Sequence, residues 1–157
     1  MSDASADTVA IVPARREHLP AIVGLMNASA VGARAGAESE DLAPYARAFE
    51  EILAAPETDL YVALDAGGTV VATYQITYCK GLAFRGRPRA TVESVHTRAD
   101  LRGRGIGAKM MRHAVDLARA RDCCMVQLTS NKLRPDAHRF YLRLGFDQSH
   151  LGFKLML

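Results

Sequence analysis

Three glycines fall within six residues at Arg102-Gly103-Arg104-Gly105-Ile106-Gly107, and a helical stripe of Ile106, Met110, Ala114, Leu117 and Ala118 begins inside the same turn. The first N–H groups of a helix have no internal partners and sit at the positive end of its dipole. With no Cβ atoms in the way, such a turn can close around a phosphate or pyrophosphate. Arg102 and Arg104 add full charge to the partial charge of the backbone. The stretch reads as the anion cradle of a cofactor site, and the fold has to present it.

Two other readings compete. Gly103-Arg104-Gly105-Ile106-Gly107-Ala108 also satisfies the G-x-G-x-x-G/A dinucleotide fingerprint. That fingerprint follows closely on a strand and opens a series of βα units. Here Arg98-Ala99-Asp100-Leu101 intervenes, and only fifty residues follow Gly107. Asp122 lies about twenty positions on, but it precedes the next strand instead of ending it. A purely structural glycine turn is the second alternative. The P-loop pattern fails, because no Lys-Ser or Lys-Thr follows the glycines.

A length of 157 residues, 49% apolar and 24% charged, fits one globular domain with its own core, expected over residues 8–157 behind a loose polar leader at 1–7. The net charge of +3 and the absence of a Lys/Arg run argue against nucleic acid as a partner. Cys79, Cys123 and Cys124 make neither an even-numbered framework nor a C-x-x-C pair, so thiols in a reducing compartment are expected. The leader has no apolar signal core, and no apolar run approaches the ~20 residues of a membrane span. A cytoplasmic protein is expected, without a membrane partner. Zinc is not indicated, because the five histidines show no ligand spacing.

Along the chain, Thr8–Val12 reads as a short strand stopped by Pro13, and Leu19, Ile22, Val23 and Met26 mark a helix from Arg16 to about Ser29. Val31–Asp41 is small and glycine-containing, a loop. Tyr45, Ala48, Phe49, Ile52 and Leu53 mark a second helix. Leu60–Leu64 and Val70–Tyr78 are joined through Asp65-Ala66-Gly67-Gly68 as a hairpin, with Val70, Ala72, Tyr74, Ile76 and Tyr78 on one face. Ala90–Thr97 completes an antiparallel meander. After the glycine turn and its helix, Cys123–Thr129 should lie parallel to the strand before that helix, making a β–turn–α–β crossover. Pro135 opens a further helix that Gly145 stops, and Phe153–Leu157 should close the sheet.

This order of elements, with two motifs on it, resembles the GCN5-related N-acetyltransferase (GNAT) family, from about residue 8 to 157. Arg102-Gly103-Arg104-Gly105-Ile106-Gly107 looks like that family's pyrophosphate loop, Q/R-x-x-G-x-G/A. Ala137-His138-Arg139-Phe140-Tyr141-Leu142-Arg143-Leu144-Gly145-Phe146 resembles its second signature, A-x-x-F-Y-x-x-x-G-F. The tail from Asp136 to Arg143, with Gln148-Ser149-His150, also looks like the aminoalkylphosphonate acetyltransferases of that family. The resemblance implies an α+β fold, a mixed and mostly antiparallel sheet with helices on both faces. It also implies acetyl-CoA as co-substrate, an amine as acceptor and a homodimer as one assembly.

On that reading Val95, His96, Thr97, Arg102, Gly103, Arg104, Gly105, Ile106, Gly107 and Ala108 contact acetyl-CoA, with backbone N–H groups around Val95–Thr97 on the acetyl carbonyl. Asn131 is a further contact, although the family often has its Asn three residues before the alanine of the second signature, where this chain has Arg134. Transfer to an amine needs a base, because an alkylammonium with pKa ~10.4 has no free lone pair at pH 7. Glu93 is the first choice, through a water, and His96, with an ordinary pKa of ~6.5, is the second. Tyr141 is the natural acid for the departing thiolate. Cys123 and Cys124 are adjacent and point to opposite sheet faces, so at most one could carry an acetyl group; both read as small packed residues, and direct attack in a ternary complex is expected. A small-molecule amine is the expected acceptor; a protein amino group and a non-catalytic CoA-binding sensor are the alternatives. Arg34, Glu38, Glu40 and Asp41 should border the acceptor cleft.

Overall fold

The computed structural model describes residues 8–157, so the expected leader at 1–7 lies outside them. The chain runs β1 (Ala10–Pro13), α1 (Leu19–Ala28), α2 (Ala43–Ala54), β2 (Thr58–Leu64), β3 (Val70–Cys79), β4 (Arg89–Thr97), α3 (Ile106–Ala120), β5 (Val126–Gln127) and α4 (Pro135–Arg143). The strands lie side by side in chain order. β1 to β4 are antiparallel neighbours, while β5 joins β4 in parallel after the α3 crossover. The meander and the crossover therefore stand where periodicity and the glycine turn place them. No helix among the described residues is long and apolar enough to cross a membrane.

Helices cover both faces. On one, Ile22 and Leu25 of α1 and Phe49 of α2 bury Leu60, Val62 and Val70. On the other, Met110, Met111, Ala114 and Ala118 of α3 close over Ala72, Tyr74, Ile76 and Val92. Each Val, Leu, Ile, Phe or Met side chain so removed from water contributes roughly 1.5–3 kcal/mol, and this burial is what fixes the register of the central strands. The tight β2–β3 connection is set by Asp65, whose carboxylate accepts from the N–H of Gly67 at 3.0 Å and of Thr69 at 2.9 Å, with Gly68 at φ +80°.

Three expectations need correction. Val70 does not share the face of Ala72. Ala63 pairs with Ala72 and Leu64 with Val70, so Val71 is an extra residue that shifts the alternation by one. The strand expected over Cys123–Thr129 shrinks to Val126–Gln127, paired only with Ala90 and Thr91. Pairing stops short of a second irregularity in β4, where an extra residue bends the strand. Phe153–Leu157 forms no strand; Phe153 is 92% and Leu155 86% exposed. Its apolar alternation is real, but a two-residue β5 offers too short a ladder for a further strand to add to.

These burial differences have measurable consequences. Met110→Ala should cost about 3 kcal/mol in urea unfolding, since Met110 is 1% exposed against the sheet. Leu155→Ala should change stability by less than about 0.5 kcal/mol. A large loss at Leu155 would show that the C-terminal segment packs after all.

Candidate active site

The glycine turn sits between β4 and α3. Gly103 at φ +78° and Gly105 at φ +81° occupy the left-handed region, and Gly105 is the residue before the first turn of α3. A side chain at either would find open space, so it is the backbone conformation that favours glycine there. Ile106, Gly107 and Ala108 follow as the first turn of α3, which contains no acidic residue. Gly107 has a different reason. A Cβ there would lie 3.2 Å from Cζ of Phe140, so the aromatic residue of α4 rests directly on the start of α3. Arg102 folds back, its Nε donating to the carbonyl of Thr97 at 3.4 Å, which ties the turn to the end of β4.

β4 carries the second feature. Thr73 pairs with His96 and Gln75 with Glu93, so three steps along β4 match two along β3. The extra residue lies at Ser94–Val95, and Ser94 has φ +50°. In a regular strand residues three apart point to opposite faces. The bulge brings Glu93 and His96 to the same face, the one covered by α1, while Val95 packs toward the α3 side. Beyond Thr91, β5 no longer pairs with β4. On the side away from β3, Glu93 to Thr97 thus present an edge with no strand partner among the described residues, directly before the glycine turn.

Glu93 is exposed. His96 is buried, and its Nδ1 lies 2.5 Å from Oγ of Ser29, just past the end of α1; that hydroxyl donates to the Leu25 carbonyl at 2.8 Å. Nε2 of His96 is buried with no partner among the described residues. Burial first, then the Arg34, Arg134 and Arg102 guanidiniums, push its pKa down to about 4, against a smaller upward pull from Glu38. Ser29 escaped sequence reading: a serine past a helix end has many roles, and only the β4 bulge turns His96 toward it.

Tyr141 of α4 is half-buried between the rings of Phe140 and Phe146, with centroids 5.1 and 5.8 Å away, and burial raises its pKa. Asn131 is exposed, and its Oδ1 accepts from the Leu133 N–H at 2.9 Å. The turn at 32–34 approaches it, since a Cβ on Gly32 would lie 3.3 Å from its Nδ2. Arg34 bonds Glu38 at 3.3 Å, and Tyr45 of α2 donates to Glu38 at 2.6 Å, drawing that carboxyl below its ordinary range. Glu40 and Asp41 lie further along the same loop, where Asp41 accepts from the Ala43 N–H at 3.0 Å. Cys123 packs against the α3 side of the core, with its thiol pKa raised by burial, and Cys124 stands in the connection before β5.

The lowered His96 pKa makes stability pH-dependent. An unfolded histidine titrates near 6.5 and the folded one near 4, so between these values the unfolded chain binds more protons. Stability from this group is complete above pH 6.5 and falls as pH drops toward 4, by at most about 3 kcal/mol. Comparing urea midpoints at pH 7 and pH 4.5, wild type should lose more than His96→Gln; equal losses would contradict a buried neutral imidazole.

A sequence profile of the acetyltransferase (GNAT) family matches residues 24–146. The aminoalkylphosphonate N-acetyltransferase of Salmonella typhimurium is 43% identical over 53 residues, 34% of this chain and 34% of that protein. The streptothricin acetyltransferase of Streptomyces lavendulae is 31% identical over 86 residues, 55% of this chain and 43% of that protein. The matched segments thus span less than half of either relative. A crystal structure described as a transcriptional regulator from Bacillus halodurans superposes with a TM-score of 0.89 at 37% identity, covering 96% of this chain and 100% of that one. With the profile running from the second half of α1 through the glycine turn to the second signature, the chain belongs to the acetyltransferase (GNAT) family.

Proposed function

We propose that this protein transfers an acetyl group from acetyl-CoA to the primary amine of a small molecule by direct attack in a ternary complex. One observation carries the reading: the anion cradle at the start of α3 and the unpaired β4 edge adjoin, so a single extended ligand can lie along both. The diphosphate of CoA fits the turn, where Gly103 and Gly105 leave their Cβ positions open and Ile106–Ala108 begin the helix. Arg102, Arg104 and Asn131 flank the same ligand. Bound there, the co-substrate supplies an electrophilic thioester carbon.

The residues of the chain do the rest. Glu93 takes the ammonium proton through a water, freeing the nitrogen lone pair. The backbone of Val95–Thr97 offers N–H groups to the carbonyl oxygen as it gains negative charge. A C–N bond forms as the C–S bond breaks, Tyr141 gives its proton to the sulfur, and the second proton shed by the nitrogen as the amide forms returns the phenol to its neutral state. Burial favours the neutral phenol, so the donor is protonated before the step. No cysteine is needed as a carrier.

Calorimetric titration with acetyl-CoA, with ATP and NAD as controls, tests the first half of this reading. Saturable acetyl-CoA binding that Gly105→Asp abolishes is the expected result; binding of NAD in its place would restore the dinucleotide alternative. An amine panel followed by free-thiol release tests the second half. Tyr141→Phe should lower kcat by roughly 10²-fold with acetyl-CoA affinity unchanged. Wild-type turnover in that variant would remove Tyr141 from the acid role.

A further inference from the structure

Ser29 Oγ has one hydrogen and two short contacts, to the Leu25 carbonyl at 2.8 Å and to His96 Nδ1 at 2.5 Å. A carbonyl only accepts, so for both contacts to be hydrogen bonds the hydroxyl must donate to Leu25 and accept from His96. That requires the hydrogen of the imidazole on Nδ1. Nε2 then carries a lone pair, and this lone pair is buried without a donor among the described residues, on the same sheet face as Glu93. Desolvating an acceptor and giving it nothing to accept is unfavourable, and an arriving N–H would offset that cost.

From this geometry we infer that Ser29 and His96 form a buried pair that reads the acceptor amine: Nε2 accepts an N–H bond from the incoming nitrogen, and Ser29 is the positioning residue that holds the lone pair there. The inference rests on the acetyl-transfer reading above and divides the labour on this face. Glu93 takes the proton; His96 orients the nitrogen and stays neutral. The neighbours of the imidazole agree with that division. Arg34 from the loop after α1, Arg102 from the glycine turn and Arg134 before α4 all oppose a positive charge on it, and the acid that favours one, Glu38, is held by Tyr45 and Arg34. A neutral acceptor remains useful in such a place, whereas a base that must hold a proton would not. Nε2 is closed off in this structure, so the acceptor reaches it only when the side chains over it move aside.

The first test needs neither acetyl-CoA nor amine. Nitrogen NMR of histidine-labelled protein at pH 7 should find His96 protonated on Nδ1 and bare at Nε2, and Ser29→Ala should release that preference. Protonation at Nε2 in the wild type would overturn the inference. In kinetics, Ser29→Ala should raise KM for the amine by about tenfold, the worth of one hydrogen bond. Acetyl-CoA affinity should stay unchanged, and Ser29→Thr should restore the amine KM. An unchanged amine KM, or a parallel loss of acetyl-CoA affinity that Ser29→Thr does not rescue, would equally overturn it. Failure of wild-type protein to bind acetyl-CoA is a different result, since it removes the acetyltransferase reading and leaves the imidazole tautomer as measured.

Discussion

The extra residue in β4 is the constraint on which the site depends. Ser94 stands at φ +50°, a conformation that costs a non-glycine residue of order 1 kcal/mol or more, and the packing on either side of it holds it there. On the near side Val92 is locked beneath α3; on the far side His96 is locked against Ser29. Between them the strand has to absorb one residue more than β3 supplies. The result is an edge free of β5, a face carrying both Glu93 and His96, and a strand end aimed at the glycine turn. A regular β4 would put Glu93 and His96 on opposite faces.

The two motifs that look separate in sequence are one packed unit. Phe140 of the second signature lies on Gly107 of the first, and a methyl group at 107 would meet its ring at 3.2 Å. Tyr141 is in turn wedged between Phe140 and Phe146. The position of the phenol is therefore set by how closely α4 approaches α3, and that approach is set by a missing side chain. This gives a packing reason for glycine at 107 that differs from the one at 103 and 105, where the backbone conformation itself is the requirement.

Much of this was legible in the residues, and the exceptions have physical causes. Helical stripes and the glycine turn place α1, α2, α3 and α4, because each buries one apolar face and periodicity reports burial. Alternation places β2, β3 and β4, but not their bulges. Val71 and Ser94 are ordinary strand residues, and nothing local marks them as extra. The faces of Val70, Glu93 and His96 follow from pairing with another strand, which a single run of residues does not encode. The C-terminal segment fails for the opposite reason. Leu151, Phe153, Leu155 and Leu157 alternate as a strand should, yet the two-residue β5 leaves them no ladder to join. Ser29 was out of reach, since its partner is defined only once the bulge has turned His96.

A histidine at position 96 also fits the charge balance of the cleft better than a second carboxylate would. The Arg34, Arg102 and Arg134 guanidiniums all act against a positive charge on it. A buried carboxylate in that place would pair with one or more of them, and such pairs, once desolvated, give up their guanidiniums to each other and not to a ligand. A neutral imidazole makes no such claim. On the proposed reading it leaves the positive field of Arg102 and Arg134 available to an anionic co-substrate near the glycine turn, while its Nε2 still offers one directed lone pair. Glu38, the acid that does reach this neighbourhood, is restrained by Tyr45 and Arg34 on the loop side. On the proposed reading the arrangement separates two tasks that a carboxylate would confuse: attracting a diphosphate, which needs cations that no buried acid neutralises, and orienting an amine, for which a neutral acceptor suffices.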